Sequence, residues 1–183
     1  MQVIEVAGKS YFYHERISFR PVEASDLDRI RELRNDESTW IQLTDPRAIG
    51  PADQAAWFQS LGQKSGKFYF VAFDEEYPFI GLVRMDEHDP INRSIRVGAD
   101  VVPELRGKGH GSAIYEALKK YCFDFLNCHR IWLLVLDTNS VAKRLYEKVG
   151  FASEGTLKEA VFRNGCYIDY CVMSILEGEY RKS

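Results

Sequence analysis

The apolar and polar positions of the chain follow two periodicities in turn. Runs with apolar residues at every second position predict strands, and runs with apolar residues at every third and fourth position predict helices. A strand is predicted at residues 17–20, and a helix follows it with Leu27, Ile30 and Leu33 on one face. A second helix is predicted over about residues 51–61.

The same alternation continues to the end of the sequence. The further elements are a hairpin at 67–85, a strand at 94–102, a long helix reaching Phe125, a strand at 131–136 buried on both faces, a short helix at 139–148, and strands at 152–160 and 167–176. Strands alternating with helices, together with hairpins, predict a mixed sheet of about six or seven strands flanked by helices, an α/β (α+β) fold.

Composition narrows the class of protein. A chain of 183 residues, 45% of them hydrophobic, is expected to form one domain spanning 1–183. Lys and Arg total 24 against 27 Asp and Glu, so the net charge of -3 does not favour a nucleic-acid partner. No apolar run is long enough to span a membrane, and the sequence shows no secretory pattern. Four cysteines without a CxxC pair agree with a cytoplasmic protein.

A glycine-rich loop stands between the strand at 94–102 and the long helix. Its sequence is Arg106-Gly107-Lys108-Gly109-His110-Gly111-Ser112. Glycine lets the backbone approach a phosphate closely, and the helix start adds free N–H groups and a positive dipole end. The G-x-G-x-G spacing matches neither the dinucleotide fingerprint nor the nucleotide-triphosphate loop. Taken alone, the loop indicates either a diphosphate site or a flexible turn.

Two ordered motifs give the loop a more specific interpretation. Arg106-x-x-Gly109-x-Gly111 resembles the acetyl-CoA-binding motif of the GNAT N-acetyltransferase superfamily. Residues 139–151 resemble the Asn-x-x-Ala-x-x-Leu-Tyr-Glu-x-x-Gly-Phe segment of the same family. The resemblance implies a single-domain GNAT-like fold with a CoA-binding core at about 94–151. Leu33-Arg34-Asn35-Asp36 and Trp57-Phe58 resemble segments of the branch that contains ribosomal-protein N-terminal, polyamine and nucleotide-aminosugar acetyltransferases.

The resemblance also implies where acetyl-CoA, the co-substrate, would bind. Backbone amides of the loop would hold the pyrophosphate, and Val101 would pair with the pantetheine arm and present an N–H to the thioester carbonyl. Asn139 would cap a helix and bond near the pantetheine, or cap the helix alone. The cofactor-binding residues expected from this resemblance are Val101, Arg106, Gly107, Lys108, Gly109, His110, Gly111, Ser112 and Asn139.

Proton transfer requires an acid and a base. The resemblance places the general acid at Tyr146, where a phenol can protonate the departing thiolate; the alternative is a core tyrosine of an amphipathic helix. Some relatives carry a glutamate base at a position occupied here by Leu134, which cannot accept a proton. Asp100 or a water relay is preferred as its replacement, with Asp86 and Glu87 as the other carboxylates to consider.

These assignments predict an acetyl-CoA-dependent N-acetyltransferase that acts on the primary amine of a small molecule, such as an aminosugar, a polyamine or an amino-acid derivative. The alternatives are a protein N-terminal acetyltransferase and a non-catalytic acyl-CoA sensor. No metal site is expected, since the histidines and cysteines lack ligand spacing. The resemblance suggests a homodimer, to which Tyr11, Phe12, Tyr13 and Tyr167 would contribute unless they are core residues.

Overall fold

The computed structural model describes residues 11–61 and 66–182. Its strands are β1 (Phe12–His14), β2 (Ile17–Pro21), β3 (Phe68–Phe73), β4 (Gly81–Asp89), β5 (Ser94–Val101), β6 (Arg130–Leu136), β7 (Ala152–Arg163) and β8 (Cys166–Leu176). Its α-helices are α1 (Leu27–Asn35), α2 (Glu37–Trp40), α3 (Pro51–Ser60), α4 (His110–Lys120), α5 (Ser140–Lys148) and α6 (Glu177–Tyr180).

The strands form one mixed sheet in the order β1-β2-β3-β4-β5-β6-β8-β7. The α/β fold is confirmed, but the 8-stranded sheet has more strands than the predicted six or seven. The additional strand is β1, which pairs antiparallel with β2. Its 3 residues are too few for a period-two pattern to become visible, so its pairing partner defines it as a strand.

Strands β5 and β6 pair along only part of their length. These strands pair in parallel only from Ser94↔Arg130 to Arg96↔Trp132, whereas every other neighbouring pair in the described sheet is antiparallel. Beyond Arg96 the two strands no longer share a register. Backbone groups that would otherwise bond across this boundary therefore face a gap in the middle of the sheet.

The two faces of the sheet are covered differently. Met85 and Val97 belong to the main core, together with Ile114 and Leu118 of α4. Leu82 packs with Ile30 and Leu33 of α1 on the opposite face. Because successive strand residues point to opposite faces, the polar residues between these core positions point toward the α1 side. They are Arg84, Asp86, Arg96 and Asp100.

Two expectations about apolar residues are wrong. The long helix was expected to keep Phe125 on its packed face, but a π-helical turn at Tyr121–Phe125 changes the periodicity there, and the Phe125 side chain is 53% exposed. Strand β6 was expected to be buried on both faces, yet Trp132 and Leu134 are only partly buried. The Arg96 guanidinium lies 5.7 Å from the centre of the Trp132 ring, and Leu134 lines the cleft described below.

The last two strands, β7 and β8, form a long hairpin. Asn164 and Gly165 connect the strands with φ angles of 49° and 82°, the left-handed geometry of a tight hairpin turn. Most of β7 is exposed because it is the edge of the sheet. Among the described residues, no helix is long and apolar enough to cross a membrane.

Candidate active site

The gap between β5 and β6 opens into a cleft with a cavity volume of about 900 Å³. The walls come from β4, β5 and β6, from the N-terminal turn of α4, from one side of α5, and from the segment that joins α2 to α3. The structure thus brings the two sequence motifs, at 106–112 and 139–151, together around one cavity. Of the predicted site residues, those that line it are Asp100, Val101, Arg106, Gly107, Gly109, Gly111, Ser112, Asn139 and Tyr146.

One end of the cleft is formed by the start of α4. Gly109 precedes this helix with φ 87°, a left-handed conformation that favours glycine. The first intrahelical bond there runs from Ala113 N to Gly109 O, so the preceding N–H groups have no partner within the helix. Gly109, Gly111 and Ser112 line the cleft at this point. Free N–H groups and the positive dipole end make the turn suitable for a diphosphate.

Helices α4 and α5 approach each other closely beside this turn. A Cβ added to Gly111 would lie 3.0 Å from Leu145 Cδ2. Glycine at this position therefore allows the helix carrying Tyr146 to pack against the start of α4. The close packing places the proposed proton donor and the anion-binding turn on the same cavity.

Two side chains of the loop lie away from the cleft. Lys108 is exposed and does not line the cavity, although its carbonyl accepts a 3.4 Å hydrogen bond from Arg16 Nη2. His110 is 3% exposed and makes an edge-to-face contact with Tyr77 at 5.7 Å. Burial lowers the pKa of the His110 imidazole, which is thus kept neutral in the core. Neither Lys108 nor His110 lines the cleft, although both were predicted to bind the cofactor.

Arg106 connects the end of β5 to α2. Its Nε donates to Val101 O at 2.8 Å, Nη1 donates to Ser38 Oγ at 2.7 Å, and Nη2 donates to Thr39 Oγ1. These bonds engage all three guanidinium nitrogens with protein atoms. Arg106 therefore shapes the wall of the cleft, which the motif alone did not indicate.

Val101 lies at the end of β5, next to the gap. Val102 donates its N–H to Ile80 O at 3.0 Å, on the β4 side of the strand. Because backbone groups alternate along an antiparallel strand, the N–H of Val101 points to the opposite side, toward the gap. An extended ligand arm in the gap would find a backbone donor here.

Tyr146 projects from α5 into the cleft and contacts a second tyrosine. The Tyr115 hydroxyl donates to the Tyr146 hydroxyl at 3.3 Å, and the rings meet edge to face at 5.0 Å. Burial raises the pKa of the Tyr146 phenol above its ordinary value. Tyr146 is accordingly protonated at neutral pH and can act as a proton donor. The sequence motif identified Tyr146 but gave no indication of Tyr115.

Asn139 precedes α5 and caps it. Its Oδ1 accepts a 3.0 Å hydrogen bond from Ala142 N, as the capping hypothesis predicted. Asn139 also lines the cleft, and Leu134 lines it from β6. The cap fixes the start of the helix that presents Tyr146.

The wall on the α1 side of the cleft is made of ion pairs. Arg84 Nη1 lies 2.9 Å from Asp100 Oδ2, and the charge of Asp100 raises the pKa of Arg84. Arg96 Nε lies 2.7 Å from Asp86 Oδ1, and its Nη2 lies 3.0 Å from Glu87 Oε1. All three candidate carboxylates for proton removal are therefore held by arginines. The sequence analysis named these acids but not their partners, Arg84 and Arg96. The period-two patterns of β4 and β5 would have placed Arg84 and Arg96 on the same face of the sheet as Asp86 and Asp100.

The segment between α2 and α3 closes this wall. Arg163 Nη2 donates to the carbonyls of Leu43 and Thr44, and Thr44 Oγ1 lies 3.1 Å from the Tyr170 hydroxyl. Residues 42–45 line the cavity. These bonds hold the segment close to the mouth of the cleft.

The part of the chain that the structure describes contains no cluster of side chains suited to binding a metal ion. No group of three or more His, Cys, Asp and Glu side chains is arranged there to hold a metal ion. The sequence-based expectation that the protein uses no metal remains a prediction.

Comparison with known proteins agrees with this geometry. Residues 16–152 match the family model described as an acetyltransferase (GNAT) domain. The crystal structure of spermidine N-acetyltransferase from Vibrio cholerae, in complex with CoA and spermine, is 31% identical and superposes with a TM-score of 0.86, covering 92% of this chain and 99% of that one.

A second structure of that enzyme and one further protein add to the comparison. A dodecameric structure of spermidine N-acetyltransferase from Vibrio cholerae is 32% identical, with a TM-score of 0.78 over 91% of this chain and 97% of that one. The L-amino acid N-acetyltransferase AaaT of Escherichia coli K12 is 29% identical over 86% of this chain and 96% of its own length. The chain belongs to the GNAT family and is an N-acetyltransferase with acetyl-CoA as its co-substrate.

Proposed function

We propose that the protein transfers an acetyl group from acetyl-CoA to the primary amine of a small molecule, by direct attack of the amine within the cleft. The observation that carries this proposal is the gap between β5 and β6, with the anion-binding turn of α4 at one end and the Tyr146 hydroxyl on its wall. The spermine complex and the amino-acid acetyltransferase named above support an amine acceptor.

Acetyl-CoA is bound mainly by backbone groups in this proposal. The diphosphate lies at the N–H groups of residues 109–112, and the pantetheine arm lies along β5. The Val101 N–H then faces the thioester carbonyl and stabilises negative charge on its oxygen during attack. Arg106 supports Val101 by bonding to its carbonyl oxygen.

Tyr146 acts as the general acid in this proposal. Its hydroxyl proton passes to the leaving sulfur, and the hydrogen bond from Tyr115 stabilises negative charge on the phenol oxygen during transfer. The raised pKa keeps the proton on Tyr146 until the thiolate forms.

Asp100 is retained as the base, acting directly or through a water molecule. Arg84 Nη1 lies 2.9 Å from Oδ2 of this carboxylate, and the carboxylate accepts a proton or a hydrogen bond from the acceptor ammonium in this proposal. Asp100 lies on β5 next to Val101, so both groups border the same point of the cleft.

The state of Tyr146 predicts the pH dependence of turnover. An acid works while it is protonated, below its pKa, and burial moves the pKa of Tyr146 above the ordinary value of about 10. At saturating substrates, we expect any alkaline decrease in kcat to have its midpoint above about pH 10. Rate measurements from neutral pH upward test this; a decrease with its midpoint below about pH 9 would contradict the role of a buried phenol.

The position of residues 42–45 favours small acceptors over peptides, because the bonds from Arg163 and Tyr170 hold this segment at the mouth of the cleft. A screen of free amines against peptides with free N-termini, followed by thiol release from acetyl-CoA, tests the preference. We expect turnover with free amines. Turnover with peptides alone would indicate a protein N-terminal acetyltransferase, and no turnover with any amine would indicate an acyl-CoA sensor.

We further propose that the chain works as one domain, 1–183, and assembles as a homodimer in the cytoplasm. The edge strand β7 and its hairpin expose apolar side chains suited to such a contact: Leu157 is 47%, Phe162 57% and Tyr167 64% exposed. Of the aromatic residues near the start of the chain, Phe12 packs against the core, whereas Tyr11 is 61% exposed.

A further inference from the structure

The charges on the α1 side of the cleft restrict the kind of amine that can bind. Three carboxylates line the cavity there, and each is already paired with an arginine. Asp100 pairs with Arg84 at 2.9 Å, Asp86 with Arg96 at 2.7 Å, and Asp45 with Arg47 at 2.7 Å. Among the described lining residues, no carboxylate is free of an arginine to bind the additional ammonium groups of a polyamine.

Arg34 carries a positive charge on this wall and has no ion pair among the described residues, because the nearby Asp100 and Asp45 are paired with Arg84 and Arg47. It projects from α1 and lines the same cavity as Arg84 and Asp100. Its Nη2 donates to the backbone carbonyl of Asp45 at 2.6 Å. Its Nη1 is buried and has no hydrogen-bond partner among the described residues.

The surroundings of Arg34 make this arrangement costly without an anion. Burial, followed by the nearby charge of Arg84, lowers the pKa of the Arg34 guanidinium. A guanidinium nevertheless stays protonated in proteins, so the positive charge remains in the cleft. Buried charges without a partner are unfavourable, and a guanidinium binds planar or tetrahedral oxyanions through parallel N–H groups.

We infer that the acceptor is an amine that also carries an anionic oxygen group, a carboxylate or a phosphate, and that Arg34 binds this group. The inference rests on the proposed function and specifies its substrate class. Arg34 acts as a specificity-determining residue: its charge holds the anionic end near α1 while the amine lies beside Asp100 and Val101. Polyamines, which carry only positive charges, are poor acceptors in this site.

Matched acceptors test the inference directly. The carboxylate arm compares an amino acid with its uncharged amide, the phosphate arm compares an aminosugar phosphate with the free aminosugar, and spermidine serves as the cationic acceptor. Rates are compared at equal concentrations of the unprotonated amine. We expect kcat/KM to be about 10- to 100-fold higher for the anionic member of at least one pair, the size of one charged hydrogen bond.

Replacing Arg34 separates recognition of the anion from a structural role. In Arg34→Met, KM for the anionic acceptor should rise about 10-fold or more, while KM for its uncharged partner stays within about 3-fold. Arg31→Met is the matched control, because Arg31 lies on the same helix, pairs with Asp28 at the surface and does not line the cavity. A general loss of packing would affect both acceptors equally.

The outcomes distinguish this inference from the proposed function. If uncharged amines or spermidine react as well as the anionic acceptors, or if the preference survives in Arg34→Met, the inference is wrong and the acetyltransferase proposal stands. If no amine reacts, the proposed function fails. In that case, calorimetry of the CoA-loaded protein with a carboxylate and a phosphate that carry no amine tests the anion site by itself. Binding that Arg34→Met abolishes would support the anion site, and no binding would overturn it.

Discussion

Tyr146→Phe should lower kcat by about 10²- to 10⁴-fold, the usual contribution of a general acid, while leaving acetyl-CoA binding unchanged. The substitution removes one oxygen, and the ring can keep its edge-to-face contact with Tyr115. The Tyr115 hydroxyl loses its 3.3 Å partner, so a small loss of stability is also expected. Steady-state rates and calorimetric titration with acetyl-CoA measure the two effects separately.

Tyr180→Phe is the matched control for this substitution. The Tyr180 hydroxyl lies 3.2 Å from Asp124 Oδ2, and Tyr180 does not line the cleft. Removing the Tyr180 hydroxyl should leave kcat unchanged. If Tyr146→Phe also retains full turnover, the phenol is a packing residue and another group protonates the thiolate.

Gly109→Val should weaken acetyl-CoA binding by about 10- to 100-fold, the effect of losing one hydrogen bond to a charged group. Gly109 has φ 87°, which a β-branched residue adopts only with strain of about 1–3 kcal/mol. Relief of that strain would move the first turn of α4 and its free N–H groups away from the diphosphate. Calorimetry gives the affinity, and thermal unfolding measures the accompanying loss of stability.

Gly109→Asn separates backbone geometry from added bulk. Asparagine tolerates left-handed φ angles better than valine, and among the described residues a Cβ at this position meets only Arg16 Nη2, at 3.7 Å. We therefore expect Gly109→Asn to bind acetyl-CoA more tightly than Gly109→Val. Equal loss in both variants would mean that the side chain blocks the ligand, and unchanged affinity in both would remove Gly109 from the binding site.

Local sequence patterns predicted most of the fold because each long element carries its own signal. The cap at Asn139 and the start of a helix within the glycine loop depend on neighbouring residues alone, and the structure confirms both. Strand β1 and the exposure of Phe125 were not predictable in this way. Strand β1 is defined by its pairing with β2, and the exposure of Phe125 results from a π-helical turn that interrupts the helical period.

The site was predictable only where a motif marks it. Tyr146 and the glycines follow from their motifs, whereas the ion pairs of Arg84 and Arg96 depend on how β4 and β5 align. The position of His110 shows the limit of motif reading, since a residue inside the loop motif can point its side chain into the core. Arg34 was seen as part of a family pattern, but its place in the cleft requires the packing of α1 on the sheet.

Calorimetric titration of acetyl-CoA into the unmodified protein, Gly109→Val and Tyr146→Phe tests the central claim most directly, namely that one cleft binds the cofactor at the start of α4 and uses Tyr146 only for chemistry. The account predicts saturable binding of one acetyl-CoA per chain, equal affinity in Tyr146→Phe, and markedly weaker binding in Gly109→Val. Absence of binding to the unmodified protein, or an affinity that Gly109→Val leaves unchanged, would contradict it.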